Sequence, residues 1–229
     1  MSLGAGIALV ILVFALIVVW AKLRQARRAE FIRTHPFPPG LYAPLRKRRP
    51  DLTQADCQLV AQGLRQFFPA YLKGGRKFVS MPSQVTDDLW HEFILYTRYY
   101  DRFCRRAFGR FLHHTPAVVL SKQRRDNAGL RRCWWHACRA ENIDPRRPTR
   151  LPLLFALDAK LGIADGFHYT PDCSALRARG ETGSGLSYCA GDFSGSSIDG
   201  TTDGFGGGGD GGGGDGAGDS SCGGGCGGD

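Results

Sequence analysis

An all-α fold is what this 229-residue sequence predicts, and three observations carry the prediction. Gly4 to Trp20 reads GAGIALVILVFALIVVW, an apolar run without an ionisable side chain. From Asp51 to Leu161 the apolar residues recur at three- and four-residue steps, which is the helical period. No stretch shows the convincing apolar–polar alternation of a half-buried strand. The expected architecture is one N-terminal transmembrane helix (1–21), a basic juxtamembrane linker (22–50), a small cytoplasmic helical domain (51–180) and a disordered Gly-rich tail (181–229).

The first element is read as a membrane anchor because about 20 helical residues cross the roughly 30 Å hydrocarbon core of a bilayer. A cleaved signal peptide is the competing reading, and it calls for a basic n-region, a shorter apolar stretch and a small-x-small cleavage site. Met1-Ser2-Leu3 contains no Lys or Arg, and the flank after the run is bulky and basic (Trp20, Lys22, Arg24, Arg27, Arg28), which favours an uncleaved anchor. Positive charge stays on the cytoplasmic side. The expected location is therefore the cell (inner) membrane, single-pass, with the N-terminus outside and the domain in the cytoplasm.

The formal net charge of +9 is unevenly spread. Up to Arg179 the chain has 30 basic against 13 acidic side chains, a balance of +17, and the remainder carries −8. The expected partner is the bilayer itself. Its anionic headgroups would meet Lys22, Arg24, Arg27, Arg28, Arg46, Lys47, Arg48 and Arg49, at about 1 kcal/mol per basic residue near the surface. Without zinc-finger spacing or an RNP-type aromatic signature, nucleic acid ranks below lipid. The eight Cys, on a predicted cytoplasmic side, read as free thiols or metal ligands in preference to disulfides.

Pro36, Pro38, Pro39, Gly40 and Pro44 break any long helix after the basic flank. A helix of about twenty residues follows from Asp51, with Cys57, Val60, Ala61, Leu64, Phe67, Phe68 and Tyr71 on its apolar face and Gly74-Gly75 ending it. Ser83 caps a long helix expected to reach Phe108, striped by Val85, Leu89, Trp90, Phe93, Tyr96, Tyr100 and Phe103, with Gly109 as its C-cap. A third helix is expected over Gln123 to Glu141 with Leu130, Cys133, Trp134 and Ala137 inward, and a short apolar one over Leu151 to Leu161. From Glu181 on, 21 of 49 residues are Gly and bulky apolar residues nearly vanish, so the tail is expected to be disordered.

Chemistry-bearing residues gather around the second of these helices. Asp87 and Asp88 precede His91 by four and three residues, so both share a helix face with it. Cys104 lies in the last turns, and His113-His114 come just beyond. The candidate metal set is Asp88, His91, Cys104, His113 and His114, with zinc as the ion these ligand types suit. In the competing reading the two Asp favour the helix N-terminal turns and His91 is a core histidine partnered by Asp88. That reading is preferred, because the spacing matches no established zinc pattern. Cys133, His136 and Cys138 are ligand types too. On a continuous helix, however, residue 138 points about 140° from 133, so buried core thiols are expected. Cys222 and Cys226 on a glycine chain make at most a weak soft-metal or disulfide site. No Gly-x-Ser-x-Gly, P-loop or Rossmann fingerprint is present.

At MPSQVTDDLWHEFILYTRYYDRFC, FGRFLHHTP and LPLLFALDAKLGIADGFHY, together with the Gly/Cys/Asp tail, the chain resembles the bacterial glycine-rich domain-containing proteins. The match covers about residues 50 to 173 and rests most on the Trp90-His91 motif and on His113 and His114. The resemblance implies a membrane anchor and similar boundaries. It implies no activity. The function expected is a single-pass membrane-anchored interaction or scaffold protein, more a binding module than an enzyme. The alternative is a metal-binding protein or metal-dependent hydrolase using Asp88, His91, Cys104 and His113 or His114.

The predicted topology has a direct check. A reporter active only in the cytoplasm should be active when fused after Asp229, and one active only outside should be silent there. The opposite pattern would reverse the orientation and the free-thiol expectation with it.

Overall fold

A computed structural model of the chain describes residues 3–114, 128–171 and 187–189. Within them the chain folds into α1 (Leu3–Thr34), α2 (Tyr42–Arg48), α3 (Gln54–Lys73), α4 (Gln84–Leu95), α5 (Thr97–Phe108), α6 (Ala128–Ala140) and α7 (Leu153–Lys160). Two three-residue strands, β1 (His168–Thr170) and β2 (Ser187–Cys189), pair in parallel with His168 opposite Ser187. The sequence led us to expect no strand, since three residues are too short for alternation to register. The expected disordered tail, 181–229, lies outside the described residues apart from β2.

α1 is long and apolar enough to cross a membrane, and none of its most apolar window is buried. It does not stop at Ala21. The basic stretch that follows holds no breaker before Pro36, so the helix continues to Thr34, where the restriction on residues preceding proline ends it. The expected linker, 22–50, is thus largely helical. It also gives Ile32, Leu41 and Leu45 to the core.

α3 is the axis on which α1, α2, α4, α6 and α7 pack. It begins three residues after Asp51, because Thr53 makes a capping box. Its Oγ1 accepts from Asp56 N at 3.2 Å while its own N–H donates to Asp56 Oδ2 at 2.9 Å. All seven apolar-face residues expected on this helix are buried. Gly63 lets α7 approach, since a Cβ there would overlap Leu157 Cδ1.

The expected single helix over 84–108 is two. Tyr96 leaves the helical region at ψ 54°, dividing α4 from α5. Packing requires the break. Residues ten apart on a straight helix stand about 15 Å apart along its axis, yet Trp90 Nε1 donates to Tyr100 Oη at 3.1 Å. The Phe93 and Tyr100 rings also meet edge to face at 5.1 Å. The folded-back pair surrounds Phe67 and Phe68 with Trp90, Phe93, Phe103 and Phe108.

Asp158, on α7, is 1% exposed and accepts four hydrogen bonds. They come from Ser83 Oγ at 2.8 Å, Gln84 N at 2.7 Å, Val85 N at 3.2 Å and Phe167 N at 2.9 Å. The carboxylate thus satisfies the first amides of α4, where the helix dipole favours negative charge. Gly166 makes room for it, since a Cβ there would stand 2.5 Å from Asp158 Cβ.

Asp158→Ala should lower the unfolding free energy of the detergent-solubilised chain by at least about 3 kcal/mol, because several buried donors lose their acceptor together. Denaturant titration followed by helical circular dichroism measures it. A loss below about 1 kcal/mol, the range of an ordinary surface change, would show that α4 does not depend on this carboxylate.

Candidate metal centre

The Ser83 cap fixes where α4 starts, so Asp87 lies in its first turn and His91 four residues on, along one face. The third member comes from the chain after α5. Gly109 turns that chain with φ +80°, a left-handed conformation open to glycine. Buried Leu112 then places its carbonyl as acceptor of the Tyr100 hydroxyl at 2.7 Å, while that hydroxyl accepts from Trp90. This relay returns the loop to α4 and seats the His114 ring edge to face against Trp90 at 4.7 Å.

There His114 Nε2 lies 2.9 Å from Asp87 Oδ1, and His91 Nδ1 lies 3.4 Å from Asp87 Oδ2. The two imidazole centroids are 4.1 Å apart. One ligand atom from each of Asp87, His91 and His114 falls within 4.8 Å of the others. A zinc-like ion at 2.0–2.1 Å from its ligands would leave them about 3.3 Å apart in a tetrahedral set, against separations of up to 4.8 Å here, so the three would draw together around an ion. The side chains of His91, Asp87 and His114 are 43%, 20% and 14% exposed. One flank is therefore packed and the other meets solvent. Two imidazoles and a carboxylate with an open position are the donor set of catalytic zinc and non-haem iron(II) sites.

The expected ligands divide. Asp88 lies 100° around the helix from Asp87 and is 4% exposed. It accepts from Arg48 Nη1 at 2.9 Å and Arg49 Nε at 3.0 Å. The partner of His91 is therefore Asp87, not Asp88, because two arginines from the end of α2 hold Asp88 inward. Nor is His91 a core histidine, given its exposed ring. Cys104 is buried against Tyr100 and Leu112, and burial pushes its thiol up to about 11, so it stays protonated and a poor ligand. His113 is exposed beside Phe111 and outside the cluster. Among the described residues, then, the structure brings together His91, His114 and Asp87.

Arg49 continues outward to both carboxylate oxygens of Asp165, with Nη2 2.8 Å from Oδ2. Its guanidinium pKa is raised, chiefly by the hydrogen bonds to Asp165 and despite partial burial, and Asp165 is held below the usual carboxylate range by the same contact. Arg48 also reaches Glu92 at 3.2 Å. These pairs immobilise the inner face of α4 while the outer face carries the cluster.

The other cysteine-rich candidate behaves as core. α6 is continuous, Cys133 and Cys138 are fully buried free thiols, and burial raises both well above the ordinary thiol range. Cys222 and Cys226 lie outside the described residues.

The protein family described as UCP032817-like matches residues 27–193, nearly three-quarters of the chain. The matched stretch begins on α1 after its apolar run and includes all three residues of the cluster. No curated protein and no solved structure matches the chain.

His136 gives the core an acid sensitivity. Its Nε2 is buried without a partner, and burial, reinforced by Lys73 and Arg132, lowers its pKa from 6.5 to about 4. Between those values the unfolded chain takes up a proton that the folded chain refuses. The stability concerned is fully present above the window and is lost as pH falls through it. His136→Gln should flatten the pH dependence of the unfolding midpoint between about 6.5 and 4. Parallel wild-type and variant curves would show that His136 is not the group responsible.

Proposed function

The chain belongs to the UCP032817-like family, and we propose that it is a membrane-anchored protein whose helical domain binds a divalent transition-metal ion through Asp87, His91 and His114. The observation that carries the reading is the convergence of these three side chains within 4.8 Å, from a helix and a loop, with one side open to solvent. An ion held there has room for a water or substrate ligand. Metal-activated water is the chemistry such a site supports, which makes a hydrolytic or Lewis-acid role the finer part of the proposal. The anchor follows from α1, whose apolar length suffices to span a bilayer and whose surface is unburied. The basic residues after Ala21 favour a cytoplasmic domain. A glycine-rich bacterial relationship, drawn from the tail and the Trp90-His91 motif, belongs to the same proposal.

One observation favours a second reading. The Asp87–His114 hydrogen bond at 2.9 Å closes the loop onto α4 without help from an ion. In that case the domain is an interaction module held at the membrane, and the cluster is a structural clasp.

Metal analysis separates the two. Full-length protein purified in detergent, loaded with Zn²⁺ or Fe²⁺ and freed of excess, should retain a stoichiometric ion. Asp87→Asn, His91→Gln and His114→Gln should each weaken binding by more than about 100-fold, exceeding the 10–100-fold usual for groups that only support a ligand. Cys104→Ser and His113→Gln should leave it unchanged. A wild-type chain that retains no metal, or three variants that retain it equally, would install the clasp reading.

A further inference from the structure

The contacts of α1 fix which end of the helical domain faces the apolar run. Moving along α1, Arg28 donates to Phe108 O at 3.1 Å, Phe31 lies 5.7 Å from Phe103, and His35 lies 5.4 Å from Tyr99. The Tyr99 hydroxyl donates to Pro36 O at 2.6 Å. α5 therefore runs antiparallel to α1, and its C-terminal end points back toward the apolar segment. α3 has the same sense as α5. Arg65 reaches His35 O at 3.2 Å, while Tyr71, farther along, packs on Phe108 at 5.0 Å and accepts from Arg110 at 2.9 Å.

Both C-terminal ends are basic. Residues 71–82 and 101–110 contain seven Lys or Arg and a single acid, Asp101, which pairs with Arg105 at 2.9 Å. Arg106 lies over the Phe31 ring at 4.5 Å, and the like charges of Arg24 and Arg76 bear on Arg28. The ends of α3 and α5 thus form a positive collar around α1 where it leaves the domain. From Trp20 to Arg28 the helix climbs about 12 Å, and each headgroup layer is about 5–8 Å thick. Long basic side chains cover the remainder.

The basic residues of α2 lie at the opposite end. The charge of Arg46 bears on Cys57, near the start of α3 and about 21 Å of helix away from Tyr71. Arg48 and Arg49 are paired with Asp88, Glu92 and Asp165. Four of the eight basic residues expected from the sequence to meet headgroups, Arg46 to Arg49, thus lie on α2 or at its end, away from the bilayer that α1 would cross.

We propose that the α1-proximal end of the domain is a docking surface for anionic phospholipid headgroups, formed by Arg24, Arg27, Lys73, Lys77 and Arg106. This rests on the anchor part of the reading above and is independent of the metal part. Held there, the domain sits against the leaflet with α3 and α5 end-on, and the charge that self-repels in solution is neutralised by the lipid.

Trp20 is a built-in reporter, exposed on α1 at the close of the apolar run, whereas the other tryptophans are buried in the domain. The full chain is reconstituted in phosphatidylcholine vesicles containing either brominated phosphatidylserine or brominated phosphatidylcholine. The serine lipid should quench Trp20 with several-fold selectivity at low salt, falling as ionic strength rises. Lys73→Glu with Lys77→Glu should roughly halve that selectivity, and adding Arg106→Gln should lower it further, toward that of α1 alone. Arg46→Glu with Lys47→Glu should leave it intact. Selectivity unchanged in the collar variants, or abolished by the α2 pair, would overturn the proposal. Equal quenching by both lipids in the wild type would mean the collar serves a partner other than lipid, and also overturns it. Absence of quenching by either lipid would remove the anchor, and this inference with it, while leaving the metal reading to its own test.

Discussion

The arrangement depends on one buried carboxylate. Asp158 takes the first amides of α4, the Ser83 hydroxyl and the Phe167 amide. A bare carboxylate at that depth would be prohibitively unfavourable, whereas one surrounded by donors at a helix N-terminus is stable. The result is a three-way junction of α7, the start of α4 and the turn through Gly166. Because the junction sets the position at which α4 begins, it sets the direction of every side chain that follows. It also places Asp165, one residue before Gly166, where Arg49 can bridge it to Asp88. α2 is thereby tied to the same point.

From that origin the two adjacent aspartates take opposite duties. A step of 100° turns Asp88 inward to the arginines that close α2 and leaves Asp87 on the half-open side with His91. The separation matters chemically. A carboxylate neutralised by two guanidinium groups would be a weak metal ligand and a weak acceptor for imidazole, whereas among the described residues the Asp87 carboxylate meets His91 and His114. The break at Tyr96 serves the same site. By folding α5 back, it brings the Tyr100 hydroxyl between Trp90 and Leu112, and that hydroxyl sets the path of the chain to His114.

Much of this was legible in the sequence, and the gaps have physical reasons. The α3 and α4 stripes, the Ser83 cap, the Gly109 C-cap and the apolar α1 follow from local patterns, and local patterns are what a sequence displays. The choice between Asp87 and Asp88 was not local. Both spacings suit His91, and the arginines that decide are about 40 residues away along the chain. The α4–α5 break was hidden because Tyr96 fits the helical stripe, and the pull comes from Trp90 and Phe93 meeting Tyr100. The apolar run gives the span and not the length of α1, because the Lys, Arg, Gln and Ala that follow it are good helix formers and carry the helix on to Thr34. Asp158 did leave a signal: one acid inside PLLFALDAKL, an otherwise apolar helix.

α5 contacts both α1 and the loop that ends in His114. On one side Phe103 packs on Phe31 and Phe108 accepts from Arg28, both on α1. On another Tyr100 grips the loop that ends in His114. α1 itself is unbroken from its apolar run to Thr34, so no flexible hinge separates that run from α5. α1 is thus linked through α5, Tyr100 and Leu112 to the one cluster member that a loop supplies. Asp87 and His91 stand on α4, which Asp158, Arg48 and Arg49 hold from the far side. The cluster is thus assembled from a pair on α4 and a third residue whose position is set by α5.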